Sequence, residues 1–124
     1  MPSFDLDNNH SSYQIRAYQP GVIQINDQIV THSVIVTPNQ LIDNWAPQTV
    51  NALSPEALSM IIDLKPDVLL IGTGKSQVFL PVELYGDIIN HGIGVEVMDT
   101  SAACRTFNAL SAENRNVVAA LIIA

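Results

Sequence analysis

The sequence predicts an α/β fold: a layered mixed sheet with flanking helices plus an N-terminal antiparallel β-meander layer. Three observations indicate it. Residues 68–71 form an uninterrupted apolar run, which is typical of a strand covered on both faces. Helical and strand-like patterns alternate from Ser54 onward, as in chains that build a parallel sheet. Short alternating segments separated by turn residues come before them, between Tyr13 and Val36.

The N-terminal part is predicted to be a loose polar segment, residues 1–12, followed by a single α/β domain at residues 13–124. Turn signals at Pro20-Gly21 and Asn26-Asp27 divide the start of the domain. The meander strands are predicted at residues 13–19, 22–25 and 29–36. Residues 40–53 fit either a short helix or an extended connection, and Trp45 is expected in the core.

Three helices are predicted in the second part of the chain. Ser54-Pro55-Glu56 provides an N-cap, a first-turn proline and an acid at the positive end of the dipole. Pro81 is expected to open the second helix, which His91-Gly92 closes. Asp99 or Thr100 caps the third, which buries Phe107. Strands are expected at residues 68–71, 93–98 and 117–123, with the first two parallel and close together.

Composition excludes some classes of function. Twelve acids against five bases give a formal charge of −7, too acidic for a basic patch that binds nucleic acid or an anionic membrane. Hydrophobic residues make up 48% and charged residues 14%, so much of the surface is neutral. Such a surface favours a protein partner, and a second copy of the chain is a further candidate.

The expected compartment is the cytoplasm. Cys104 is the single cysteine, which fits a reducing environment. The first ten residues lack the basic and apolar regions of a signal peptide. The longest apolar runs are far shorter than a membrane span, so no direct membrane insertion is expected.

Small and polar residues gather where the predicted strands end. In open α/β sheets this carboxyl edge is the usual place for a ligand. The sequence therefore predicts a candidate ligand or partner pocket formed by seven residues: Gly72, Gly74, Lys75, Asp99, Thr100, Arg105 and Asn108.

Two alternatives stay open within this cluster. The Gly72–Ser76 turn lacks the glycine spacing of a P-loop or a dinucleotide fingerprint, so it is either a tight strand-end turn or a weak anion site. Arg105 opposes the helix dipole and needs a stabilising partner. That partner is either an acid of this chain (Asp99, Glu96 or Glu83) or a ligand or partner anion.

No catalytic set is predicted. The three histidines fit no metal motif, and a Gly-x-Ser-x-Gly motif is absent. Cys104 is expected to be a buried, inert thiol because neither a second cysteine nor a histidine lies near it in sequence. We therefore predict no catalytic residues, no metal site and no cofactor.

The chain resembles a known family over residues 13–123. The resemblance is carried by Ile71-Gly72-Thr73-Gly74, by the run Gly92-Ile93-Gly94-Val95-Glu96-Val97-Met98-Asp99-Thr100, and by Ala102-Ala103-Cys104-Arg105-Thr106-Phe107-Asn108. They are similar to a small bacterial and archaeal domain family that includes mitochondrial complex I assembly factor 3. The resemblance implies a layered α/β fold and no established catalytic activity. It also implies a role in assembling or stabilising a respiratory enzyme through protein contacts.

Two functions are therefore carried forward. The first is a non-catalytic protein-interaction domain that assists the assembly or stability of a complex I-like enzyme. The second is a small-molecule or anion-binding domain, and a candidate enzyme, with its site at the carboxyl edge of the strands. For the first, the expected contact surface is the N-terminal meander between Ile15 and Val36, whose edges carry few charges.

Overall fold

The N-terminal layer is a small antiparallel sheet. The computed structural model describes residues 12–124, so the predicted loose segment lies outside the described residues except for Ser12. Strands β1 (Ile15–Gln19), β2 (Val22–Ile25) and β3 (Gln28–Val30) pair in that order. Gly21 closes the first turn with a φ of +91°, a conformation that glycine adopts without strain.

A five-stranded mixed sheet forms the centre of the fold. Its strands are β4 (Val34–Val36), β5 (Leu41–Ile42), β6 (Val68–Thr73), β7 (Gly94–Met98) and β8 (Val117–Ile122). Their order is β5-β4-β8-β6-β7, with β6 parallel to both β7 and β8 and with β4 antiparallel to β5 and β8. The predicted parallel neighbours in the second half of the chain are confirmed as β6 and β7.

The meander is shorter than predicted. The single strand expected at residues 29–36 is wrong, because β3 and β4 belong to different sheets. Between them Ser33 is fully buried, and its backbone N–H donates to the side chain of Gln48 at 3.1 Å rather than to a strand. The chain therefore leaves the small sheet after Val30 and pairs β4 with β8.

The ambiguous stretch at residues 40–53 contains both structures in short form. It consists of β5, an irregular connection and a 3₁₀ turn at Val50–Ala52. Trp45 is buried in the core as expected, and its indole N–H donates to the carbonyl of Ala57 at 2.9 Å. This bond satisfies the one polar group of the ring and fixes the connection against the first helix.

The first and third helices begin as their caps predict. In α1 (Pro55–Leu64), the Ser54 hydroxyl accepts from the N–H of Ala57 at 3.1 Å. In α3 (Thr100–Ala112), the Asp99 carboxylate accepts from the N–H of Ala102 at 2.8 Å. Each cap satisfies a backbone donor that has no partner within the helix.

The second helix does not begin at Pro81 as predicted. A 3₁₀ turn at Val82–Leu84 comes first, and α2 (Gly86–Asn90) follows as little more than one turn. Tyr85 separates them with a φ of −127°, outside the helical range. Glycine at the next position weakens any continuous helix through this point.

Side chains of the central sheet alternate between two cores. Leu70 faces the core shared with the three-stranded sheet and α3, where Phe107 is fully buried as predicted. Leu69 and Ile71 face the opposite core, which also includes residues of α1 and α2. This alternation follows from the two-residue period of a strand, and it leaves β6 buried on both faces.

Candidate functional site

A cleft lies between strand β1 and helix α3, and we call it the β1–α3 cleft. Its volume is about 130 Å³. Its lining includes Ile15 and Ala17 of β1 and six residues whose side chains carry polar or sulfur atoms: Arg16, Tyr18, Ser101, Cys104, Arg105 and Asn108. Arg105 and Asn108 belong to the predicted pocket, whereas the β1 residues do not.

Asn108 fixes one wall of the cleft. Its side-chain oxygen accepts from the N–H of Ile15 at 2.9 Å, and its side-chain amide donates to the carbonyl of Ile15 at 2.7 Å. The amide thus pairs with β1 as a neighbouring strand would, although it comes from a helix. Asn108 therefore holds β1 against α3.

A β-bulge places Arg16 in the cleft. Ile15 pairs with Ile25 and Ala17 pairs with Gln24, so Arg16 is the extra residue without a partner in β2. Bulges of this kind redirect a side chain and are frequent next to functional sites. The strand pattern of residues 13–19 gave no sign of this irregularity, which is why the sequence prediction missed Arg16.

Arg105 has a weaker partner than a carboxylate. One of its terminal N–H groups donates to the Ser101 hydroxyl at 2.8 Å, one helical turn earlier. Within residues 12–124 the guanidinium forms no ion pair, so none of the expected bridges to Asp99, Glu96 or Glu83 is present. The Arg105 side chain is exposed, and the residue lines the cleft.

Two residues that line the cleft, Cys104 and Tyr18, carry ionisable groups with raised pKa values. Burial raises the pKa of the Cys104 thiol to about 12, against a smaller lowering by Arg105. At neutral pH the thiol is uncharged and a poor nucleophile, and its burial agrees with the prediction. Burial also raises the pKa of Tyr18, whose hydroxyl oxygen is shielded from solvent and has no hydrogen-bond partner within the described part of the chain.

Gly72, Gly74 and Thr100 form a separate buried group. The Thr100 hydroxyl accepts from the N–H of Gly74 at 2.8 Å and donates to the carbonyl of Ile122. Gly74 has a φ of +95°, and a Cβ on Gly72 would lie 2.8 Å from the Thr100 hydroxyl oxygen. These residues join the ends of β6 and β8 to the start of α3, and the Gly74 N–H is already engaged.

The two remaining residues of the predicted pocket lie at other positions. Asp99 caps α3, and Lys75 is exposed in the loop after β6. Neither lines the β1–α3 cleft. The structure therefore places three of the seven residues in a buried junction, two in the cleft and two at other positions. A shared pocket for all seven residues stays a prediction.

A second notable surface follows β6. Six large hydrophobic side chains of residues 12–124 are exposed, and four of them lie between β6 and β7. Phe79 is 91% exposed, Val82 54%, Ile89 45% and Val78 37%. We call these four residues the Phe79 surface. The predicted meander surface contributes one such residue, Ile29.

Buried residues anchor the segment that carries the Phe79 surface. Leu80 and Ile88, from the same segment, are buried in the core that includes α1. The segment also contacts the edge strand β7, where the Gln77 amide donates to the carbonyl of Val97 at 3.4 Å. Phe79 therefore projects from an anchored segment into solvent.

The described residues offer no arrangement for metal chemistry. In the part of the chain from Ser12 to Ala124, no three His, Cys, Asp or Glu side chains lie close enough to hold a metal ion. Across the same residues, no helix combines the length and apolar character needed to cross a membrane.

Comparison with known proteins confirms the family resemblance. Residues 15–122 match the model of a family described as protein of unknown function (DUF498/DUF598). A relative in Danio rerio, NADH dehydrogenase (ubiquinone) 1 alpha subcomplex assembly factor 3, is 38% identical over 110 residues, which cover 87% of this chain and 63% of the relative. The chain thus spans less than two thirds of that relative's length.

Other matches extend over nearly the whole domain. The 13 kDa major membrane protein of Francisella tularensis is 30% identical over 86% of this chain and 88% of its own length. A crystal structure of a Bordetella parapertussis protein superposes with a TM-score of 0.86 and 36% identity, covering 92% of this chain and 98% of that one. One relative is named as a membrane protein, so the cytoplasmic location stays a prediction.

Proposed function

We propose that this chain, which belongs to the DUF498/DUF598 family of proteins of unknown function, acts as a non-catalytic protein-interaction domain. Its proposed task is to assist the assembly or stability of a respiratory NADH dehydrogenase. Relatives named as assembly factors of that enzyme support the proposal.

The observation that carries the proposal is the exposure of Phe79. A phenylalanine that is 91% exposed leaves nearly all of its ring in water. Burying such a ring against a partner contributes on the order of 1.5–3 kcal/mol. Aromatic side chains are also the usual anchors at the centre of protein interfaces, where they enter a pocket on the partner.

The segment that carries Phe79 also supplies charged residues for the rim of an interface. Lys75, Glu83 and Asp87 are exposed charged residues of the same connection between β6 and β7. Apolar centres ringed by polar residues are typical of interaction surfaces. The anchoring by Leu80 and Ile88 means that little conformational entropy is lost when a partner binds.

Affinity capture from a native lysate tests the proposal. We expect Phe79→Asp to abolish recovery of the protein partner, because a carboxylate would have to be buried at the centre of the interface. Ile29→Asp is the matched control, since it places the same charge at an exposed apolar residue of the meander. Bound proteins are identified and quantified by mass spectrometry, and NADH dehydrogenase subunits are the expected partners.

The same experiment separates the two candidate surfaces. Loss of the partner with Ile29→Asp, and its retention with Phe79→Asp, would assign the interface to the meander and reject the Phe79 surface. Equal recovery by the wild type and both variants would reject both surfaces. Saturable turnover of a metabolite by the purified wild type, with no protein captured, would favour the enzyme alternative.

A further inference from the structure

The β1–α3 cleft concentrates positive charge in an acidic protein. The chain has five basic residues and a formal charge of −7, yet Arg16 and Arg105 line the same small cleft. Arg16 reaches it through the bulge in β1, and Arg105 through its position on α3. Two like charges placed together repel each other unless a negative charge lies between them.

The chain does not supply that negative charge among its described residues. Neither guanidinium forms an ion pair within residues 12–124, and the bond from Arg105 to Ser101 uses one N–H of several. Cys104 is protonated at neutral pH and brings no charge. Asp99 is the acid whose charge acts on Cys104 and Tyr18, but its carboxylate caps α3 and does not line the cleft.

Tyr18 lines the cleft, but its hydroxyl does not face the cleft opening. Its hydroxyl oxygen is shielded from solvent and has no hydrogen-bond partner among residues 12–124. Leaving a buried hydroxyl without a partner costs on the order of 1–3 kcal/mol, and such groups are rare in folded proteins. Because solvent does not reach this oxygen, an ion in the open cleft does not reach it either, and an anion there depends on the two arginines.

We propose that the β1–α3 cleft binds a small oxyanion, a carboxylate or phosphate group held by Arg16 and Arg105. Planar guanidinium groups match the paired oxygens of such anions and bind them through charge-assisted hydrogen bonds. A volume of about 130 Å³ suits an anion of a few heavy atoms rather than a nucleotide. This site is separate from the Phe79 surface and goes beyond the proposed interaction function.

An NMR titration of the full chain with inorganic phosphate, and separately with succinate, tests this site at low ionic strength. We expect saturable shifts of backbone signals in β1 and the first turns of α3. Arg105→Gln should weaken binding by about tenfold or more, because a charge-assisted bond is lost. Arg16→Gln should act in the same direction, and Tyr18→Phe should leave binding nearly unchanged because its hydroxyl oxygen is shielded from solvent.

Arg115→Gln is the matched control. Arg115 is exposed beyond the end of α3 and does not line the cleft, so the variant makes the same change in net charge without altering the site. Saturation by phosphate alone would identify a phosphate site, and saturation by succinate alone a carboxylate site. Absence of saturable shifts with both anions would overturn the proposal, as would equal weakening by Arg105→Gln and Arg115→Gln.

The titration also separates this site from the proposed interface. Phe79→Asp should leave anion binding unchanged, and Arg105→Gln should leave partner capture unchanged. Failure of either proposal therefore does not decide the other.

Discussion

Replacing Phe107 with alanine should lower the free energy of unfolding by about 3–5 kcal/mol. The Phe107 ring is fully buried in the core that α3 shares with the central sheet and the three-stranded sheet. Its removal leaves a cavity that the surrounding side chains fill only in part. Both the transfer free energy of the ring and its packing contacts are therefore lost. Denaturant unfolding monitored by circular dichroism measures the change.

Phe79→Ala is the control for this measurement. It makes the same chemical change at a residue that is 91% exposed, so the free energy of unfolding should stay within about 0.5 kcal/mol of the wild type. If both variants lost similar free energy of unfolding, either Phe107 would not be buried or Phe79 would not be exposed. A stable Phe79→Ala protein would also confirm that this ring is not needed for folding.

Replacing Thr100 with valine should lower the free energy of unfolding by about 2–4 kcal/mol. The substitution keeps the shape of the side chain but removes the hydroxyl that joins the N–H of Gly74 to the carbonyl of Ile122. Both backbone groups then lie in a buried junction without these bonds. Thermal and denaturant unfolding measure the loss.

Thr106→Val provides the comparison on the same helix. Thr106 is partly exposed, and its hydroxyl contacts the sulfur of Met98 at 3.6 Å, which is a weak bond. Its replacement should change the free energy of unfolding by less than about 0.5 kcal/mol. If Thr100→Val were as stable as Thr106→Val, the buried junction would have no part in holding β6 and β8 against α3.

The sequence could predict the elements whose signals are local. Ser54-Pro55 marks the start of α1, Asp99 caps α3, and the apolar run in β6 identifies a strand buried on both faces. Each of these signals depends on neighbouring residues and on the period of the element. The parallel pairing of β6 and β7 followed from the alternation of strands and helices.

Features that depend on long-range contacts could not be predicted. The separation of β3 from β4 is set by the pairing of β4 with β8, more than eighty residues later. The short α2 depends on the burial of Leu80 and Ile88, which fixes the chain on either side of Tyr85. Alternation alone does not reveal to which sheet a strand belongs.

The same contrast between local signals and long-range contacts applies to the candidate site. Gly74 and Thr100 are in contact because each follows one of two neighbouring parallel strands, β6 and β7. Arg16 and Tyr18 line the same cleft as Arg105 because β1 has a bulge and packs on α3, far away in sequence. The exposure of Phe79 could not be predicted either, since a phenylalanine in an apolar stretch is expected in the core.

Site-specific photo-crosslinking from position 79 tests the central claim most directly. A photoreactive phenylalanine analogue replaces Phe79 in one variant and Ile29 in another, and each is irradiated in native lysate. If the Phe79 surface is the interface, position 79 should form a covalent adduct with a discrete protein partner, and position 29 should form none. Adducts from position 29 alone, or identical diffuse adducts from both positions, would contradict the proposed interface.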